Sequence, residues 1–144
     1  MAWVNSASFL LRLVAAAVAG GLVGLEREAA GQPAGLRTHA LVSLGAALFT
    51  AVGLLYPQGD QLRTVAALAT GIGFLGAGAI VRSGATVQGL TTAASLWSTA
   101  AVGLAAGSGF YVLAGGSVLL ILLVLRGLAW LKAVAHLGSP DEGQ

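Results

Sequence analysis

Apolar positions along this chain form long continuous runs, separated by short segments that contain charged residues, glycine or proline. Each run approaches the roughly 20 residues that a helix needs to cross a hydrocarbon core of about 30 Å. The pattern therefore predicts five membrane-spanning helices, over Phe9–Leu25, Thr38–Tyr56, Thr64–Val81, Leu90–Ala106 and Phe110–Leu125.

The last two predicted helices are separated only by glycine and serine, because Leu90 to Leu125 contains no charged residue. A single helix over this stretch would be about 54 Å long, well beyond the thickness of a bilayer core. Gly107-Ser108-Gly109 predicts a tight turn between two antiparallel helices.

Composition agrees with a lipid environment. Charged residues make up 8% of the chain, 57% of the residues are hydrophobic and mean hydropathy is +0.90. No carboxylate occurs between Gln61 and Pro140. We therefore expect an all-α integral membrane protein, a compact bundle of five transmembrane helices with glycine-rich close packing. Residues 1–137 form one transmembrane domain and residues 138–144 a disordered C-terminal tail in this interpretation.

The seven basic residues are scattered, so we expect the lipid bilayer and no nucleic acid as a partner. Five of them fall on one side of the predicted membrane and only Arg12 and Arg63 on the other. The positive-inside rule then places the N-terminus outside and the C-terminus in the cytoplasm. Residues 126–137 either prolong the fifth helix or lie along the headgroups. The five basic residues of the predicted inner side are Arg27, Arg37, Arg82, Arg126 and Lys132.

Two groups of glycines predict close helix contacts. The third helix carries a GxGxxG pattern, but it lacks the acidic residue that a dinucleotide site requires, so we interpret its glycines as packing positions. The first helix carries a GxxxG pattern, which is typical of helix contacts within one chain or in a homodimer. The six glycines are Gly20, Gly24, Gly71, Gly73, Gly76 and Gly78.

Charged residues concentrate where the first helix meets the second. Glu26 and Glu28 point to different faces of a helix, and Arg37 returns from the turn to pair with one of them. Two interpretations remain: a salt-bridged hairpin, or a cation or partner site on the cytoplasmic edge that also includes Arg27. On the outer side, Asp60 and Arg63 are expected to cap the third helix.

The fourth helix carries hydroxyls at three- and four-residue spacing, which indicates either helix-to-helix hydrogen bonds or a hydrophilic pathway. They are Thr91, Thr92, Ser95, Ser98 and Thr99. We expect no catalytic site, because His39 and His136 are predicted on different loops without a nucleophile motif. The few carboxylates argue against an all-protein metal site or a cofactor, although weak Mg²⁺ binding stays open.

Four segments stand out along the chain, in this order: Gly24–Glu28, Ala34–Thr38, Gly71–Gly78 and Gly89–Trp97. Together they resemble the MgtC/SapB family of bacterial membrane proteins, and the likeness covers about Gly20 to Tyr111. Departures are Gln61 where many members have proline, Thr91 where some have asparagine, and Ser98 where some have cysteine.

The resemblance implies an inner-membrane protein linked to survival under magnesium limitation, and some relatives are thought to restrain the F-type ATP synthase. Many members continue into a soluble cytoplasmic domain, and the resemblance leaves regulation by that domain open for this chain. We therefore expect a non-enzymatic regulator that acts through membrane helix contacts and forms a homo-oligomer, for example a dimer. The alternatives are a transporter or channel for Mg²⁺ or another cation, and a scaffold or lipid-binding module.

Overall fold

The computed structural model describes residues 6–55 and 61–134, which form five helices and one short hairpin. Among these residues, three helices are long and apolar enough to cross a membrane, and the fifth adds a shorter apolar segment, Tyr111–Gly127. The helical prediction is confirmed at this level. The elements are α1 Ser6–Ala29, α2 Leu36–Leu55, α3 Gln61–Ala79, β1 Val81–Ser83, β2 Thr86–Gln88, α4 Leu90–Gly107 and α5 Tyr111–Val134.

Helix α2 lies between α1 and α4, and glycines on both neighbours make this close approach possible. A Cβ atom on Gly24 would lie 2.7 Å from the carbonyl oxygen of Gly35, and Gly20 faces Ser43 just as closely. From the other side, Gly103 and Gly107 of α4 meet the backbone of α2 at the same short range. Helix packing through small residues replaces the hydrophobic driving force that lipid does not supply.

The core of the bundle consists of small side chains shared by α1, α2, α4 and α5. Small residues allow the helix axes to come close together, so dispersion contacts are dense even without large aromatic rings. Its buried apolar members are Ala16, Val23, Ala47, Val102, Ala105, Ala106, Ala114 and Val118.

Helix α3 is peripheral and differs from the prediction. Gly76 is buried, and a Cβ atom there would lie 3.5 Å from Ala93 of α4. Gly71, Gly73 and Gly78 are exposed, with no atom within 4 Å of their Cβ positions in the described chain. Three of the four glycines of α3 therefore do not have the predicted packing role within this chain. Gly71 and Gly78 lie on the face opposite Gly76, and Gly73 lies beside the contact with α4 but has no neighbour.

The hairpin between α3 and α4 was not predicted. We expected the third helix to continue to Val81, but it ends at Ala79, and Val81–Ser83 pairs antiparallel with Thr86–Gln88. A two-residue turn joins the strands, and Gly84 at its first position has a φ of +62°. Positive φ at this position matches the natural twist of a tight hairpin, and β-branched residues in the strands favour the extended conformation.

A charged side chain makes a polar contact at one end of the bundle. At one end, Arg12 of α1 donates to the carbonyl oxygen of Gly107 at 3.0 Å and lies above the ring of Phe9. The guanidinium thus satisfies a carbonyl at the end of α4, where a positive charge is also favoured by the helix dipole.

At the other end of the bundle, α5 continues as a helix to Val134, so the first part of the predicted tail prolongs this helix. The predicted disordered segment 138–144 lies outside the described residues.

Candidate functional site

The largest cluster of buried polar side chains lies where the α1–α2 connection meets the start of α4. We call it the polar junction, and it comprises Glu26, Arg27, Gln32, His39, Thr92 and Ser95. Five of these six side chains are buried, and Gln32 is half-buried. The α2 helix and α4 helix run parallel, so their first turns bring His39 and Ser95 to the same end of the bundle.

The charged part of the polar junction is an ion pair between neighbours in sequence. Glu26 and Arg27 are 7% and 6% exposed, and two nitrogens of the guanidinium contact the two carboxylate oxygens at 2.6 and 2.9 Å. Exposed Arg126 of α5 lies 3.9 Å from the same carboxylate. A bidentate pair offsets the cost of burying each charge, which would be several kcal/mol if either were alone.

Glu28 and Arg37 were predicted in the same cluster, but the structure separates them from the buried pair. Exposed Glu28 accepts a hydrogen bond from the backbone N–H of Leu36, the first residue of α2, at 2.9 Å. It therefore satisfies one of the free N–H groups at a helix start. Arg37 is exposed and makes no ion pair with the acidic residues of the described part of the chain. The pairing of Arg37 with Glu26 or Glu28 is thus not formed.

The predicted hydroxyl face of α4 divides into a buried and an exposed set. Thr92 donates to the side-chain oxygen of Gln32 at 3.3 Å, and Ser95 donates to the carbonyl oxygen of Thr92 at 2.8 Å. Thr91 is exposed, whereas the hydroxyl of Ser98 donates a hydrogen bond to the carbonyl oxygen of Ala94 on its own helix. Only the buried set links α4 to another element.

His39 joins α2 to α4 in the centre of the polar junction. Its side chain is fully buried, with Nδ1 3.0 Å from the carbonyl oxygen of Gly35 and Nε2 3.0 Å from Oγ of Ser95. The expectation of a loop for this histidine is wrong, because it lies in the first turn of α2, within the helix that the apolar pattern predicts from Thr38. The sequence signal that was available is its spacing, because Gly35, His39 and Ser43 fall on one face of a helix.

Two further hydroxyls lie one helical turn deeper than the polar junction. Ser43 of α2 and Thr99 of α4 are both fully buried, and neither hydroxyl has a hydrogen-bond partner in the described chain. Just beyond them, Gly103 meets the backbone of Ser43, and Gly107 meets that of Ala47. The polar column therefore ends at a tightly packed α2–α4 contact. The GxxxG spacing of Gly103 and Gly107 was visible in the sequence but was not used.

A separate groove lies between α2 and α3, on the side of α3 that carries Gly71. Its volume is about 530 Å³, and its walls are almost entirely apolar. Arg63, predicted to cap the third helix with Asp60, lines one end of the groove, and Asp60 lies outside the described residues. The remaining lining comes from both helices and includes Leu41, Val42, Gly45, Phe49, Leu68 and Ile72.

The described residues contain no group of three or more histidine, cysteine, aspartate or glutamate side chains close enough to hold a metal ion. The polar junction consists of hydroxyl, amide and imidazole groups together with one ion pair.

Comparison of the chain with known protein families agrees with the sequence motifs described above. The profile of the MgtC family matches residues 13–134, which include every described helix in whole or in large part. The chain belongs to the MgtC family. No solved structure matches it.

Individual relatives share more than two-fifths of their residues with this chain. "Putative magnesium transporter YhiD" of Escherichia coli K12 is 43% identical over 130 residues, which cover 84% of this chain and 60% of the relative. "Protein MgtC" of Salmonella typhimurium LT2 is 43% identical over 139 residues, or 94% and 59%. "Uncharacterized protein slr0014" of Synechocystis is 44% identical over 133 residues, or 90% and 56%. This MgtC-family chain thus spans about 60% of the length of such relatives.

Proposed function

We propose that this MgtC-family chain is a non-enzymatic regulator linked to magnesium homeostasis, and that it acts by contact with a helix of another membrane protein. The observation that carries the proposal is the unpacked surface of α3. Gly71 and Gly78 have free space at their Cβ positions on one face of α3, and Gly71 lines an apolar groove of about 530 Å³. Exposed glycines allow a second helix to approach the backbone closely.

The proposal includes five membrane crossings in the bacterial inner membrane. The contacts of Arg12 with Gly107 and of Arg126 with Glu26 lie at opposite ends of the bundle, as alternating crossings require. Basic residues are more frequent at the Glu26 end, which the positive-inside rule assigns to the cytoplasm. The N-terminus is then outside and the C-terminus inside.

The partners that we propose are the surrounding lipid, a second copy of the chain and one membrane assembly. The family resemblance favours the F-type ATP synthase as this assembly, because some relatives are thought to restrain it. We propose neither a resident cofactor nor a nucleic-acid partner. The glycine face of α3 suits helix contact in each of the protein pairings.

The chain contains no cysteine, so single-cysteine crosslinking tests the contact directly. Gly71→Cys and Gly78→Cys, labelled with a photoreactive reagent, place a photoreactive group on the free face of α3. Val112→Cys places it on an exposed position of α5 as a matched control. In native membranes at low magnesium, we expect adducts with membrane subunits of the F-type ATP synthase from the α3 positions only.

Adducts with copies of the same chain alone, or equal crosslinking yields from Val112→Cys, would contradict the proposed regulator.

A functional measurement complements the crosslinking. ATP-driven proton pumping by inverted membrane vesicles should fall when the chain is present and recover when Gly71→Leu blocks the free face of α3.

The second candidate function is transport of Mg²⁺ or another cation. It is favoured by two carboxylates, Glu26 and Glu28, at one end of a buried polar column, and by the name of the E. coli relative. Against it stands the close contact of Gly103 with Ser43, which leaves no space for a hydrated ion beyond the column.

Flux into proteoliposomes separates the two functions. Transport predicts uptake of Mg²⁺ that falls in Glu26→Gln and Glu28→Gln, and the second variant leaves the buried ion pair intact. Regulation predicts no uptake of any cation by the unaltered chain.

A further inference from the structure

The hydrogen bonds around His39 require one more proton than a neutral imidazole supplies. Three contacts follow one another, from the Gly35 carbonyl to Nδ1, from Nε2 to Oγ of Ser95, and from Oγ to the Thr92 carbonyl, at 3.0, 3.0 and 2.8 Å. Both terminal oxygens are carbonyls and can only accept. Three hydrogen bonds between these groups therefore need three protons.

A neutral ring and one hydroxyl provide two protons for the three contacts. If the neutral ring donates from Nδ1 to Gly35, Nε2 must accept from Ser95, and the Ser95 hydroxyl then has no hydrogen left for the Thr92 carbonyl. A doubly protonated ring donates to both Gly35 and Ser95, and the hydroxyl remains free to donate to Thr92. All three contacts are satisfied only in this state.

We propose that His39 is a buried proton-binding site whose occupancy controls the link between α2 and α4. With the proton bound, the ring and Ser95 connect the two helices and every contact is filled. When the proton leaves Nε2, the single hydrogen of Ser95 can serve either the ring or Thr92, so one contact of the chain is lost. The link is then strong at acid pH and weakens as pH rises through the titration of His39.

The charges that face His39 come from neighbouring elements. Glu26 and Arg27 on α1 are the nearest charged groups, and Arg126 on α5 lies beyond Glu26. Exposed Glu28 lies against Gly35, and Arg37 precedes His39 by two residues on α2. The described α4 helix carries no titratable group, so it contributes only Thr92 and Ser95. Because Glu26 is already paired with Arg27, protonation of His39 adds a net charge to the polar junction.

Protons reach this site from one end only. On the Glu26 side, half-buried Gln32 contacts Thr92 and provides a polar entrance. On the other side, the unpartnered hydroxyls of Ser43 and Thr99 end at the close contacts of Gly103 and Gly107. The polar column is closed there. We therefore assign proton sensing on one side of the membrane to His39, and not proton conduction across it.

Nitrogen NMR on the full chain in lipid nanodiscs tests the assignment. The sequence has two histidines, so His136→Ala leaves His39 as the only imidazole. With ¹⁵N-labelled histidine scanned between about pH 4 and 8, we expect a single titration, with both ring nitrogens protonated on its acid side. Ser95→Ala should weaken proton binding at least about tenfold, which is a shift of about one pH unit to the acid side.

Two matched variants separate the site from general effects of substitution. Ser98→Ala removes a hydroxyl that bonds only to its own helix and should leave the titration unchanged. Ser95→Thr keeps the hydroxyl and should restore the midpoint. A ring that carries one proton throughout this pH range, or equal midpoints in Ser95→Ala and Ser98→Ala, would overturn the proposal.

A pH-sensitive dye inside proteoliposomes tests the closed end. We expect the chain to leave an imposed pH gradient unchanged. Dissipation of the gradient that disappears in His39→Gln would contradict a one-sided sensor and show a conducting path.

Discussion

Helices α2 and α3 have nearly the same length and similar small, apolar compositions, but their surroundings differ. The α2 helix is held between glycines of α1 and α4, and it carries the buried His39 and Ser43. The α3 helix has one buried glycine and three free ones, and Phe74 is 86% exposed. A glycine on a membrane helix therefore indicates close packing only when a partner surface reaches it. The difference separates a rigid part of the bundle from a part that is available for binding.

The largest expected effect comes from the buried ion pair on the packed side. Arg27→Met leaves the Glu26 carboxylate buried next to an apolar group, with only exposed Arg126 nearby. We expect a loss of about 3–5 kcal/mol in the free energy of unfolding, measured by helical circular dichroism in detergent. Arg37→Met removes an exposed charge and should change stability by about 0.5 kcal/mol or less.

The double variant Glu26→Gln, Arg27→Met sharpens this result. It removes both charges, so most of the stability should return. If the double variant is as unstable as Arg27→Met alone, the loss comes from packing and not from an uncompensated charge.

Glycine substitutions test the difference in packing between α2 and α3. A Cβ atom at Gly103 would overlap the backbone of Ser43, which cannot move without shifting α2. We expect Gly103→Ala to lower the free energy of unfolding by about 2–3 kcal/mol. Gly73→Ala meets open space on α3 and should raise it by about 0.5–1 kcal/mol, because alanine is the better helix former. Equal losses in both variants would remove the distinction between the two helices.

The smallest expected effect is a gain in stability. Thr99→Val replaces a buried hydroxyl that has no hydrogen-bond partner, so it should stabilise the protein by about 1 kcal/mol. Thr70→Val removes an exposed hydroxyl of α3 that bonds to Ala66, and thermal unfolding should show a change within about 0.5 kcal/mol. Destabilisation by Thr99→Val would indicate that the hydroxyl has a partner in the membrane-embedded protein.

Helix positions were largely predictable because a run of apolar residues needs no knowledge of its neighbours. The turn at Gly107–Gly109 separates α4 from α5 as expected, and Gly109 has a positive φ of +88°. The hairpin at Val81–Gln88 was missed because Ile80 and Val81 extend the apolar run, and apolar periodicity does not distinguish a short strand from a helix end.

The site was less predictable because it depends on which groups meet. Glu26 and Arg27 were expected near charged partners, but adjacent positions on a helix did not suggest that they pair with each other. His39 was dismissed for lack of a catalytic neighbour, since Ser95 lies 56 residues away in sequence. No local pattern connects these two side chains.

The amino-acid sequence by itself determined that this chain forms apolar helices, approximately where they lie and which family it belongs to. These properties follow from local hydrophobicity and short motifs, which each segment carries alone. Only the tertiary structure decided that Gly103 is a contact and Gly73 is free, and that His39 meets Ser95. Such pairings depend on the relative positions of helices, and lipid favours no single arrangement until side chains and backbones fit together.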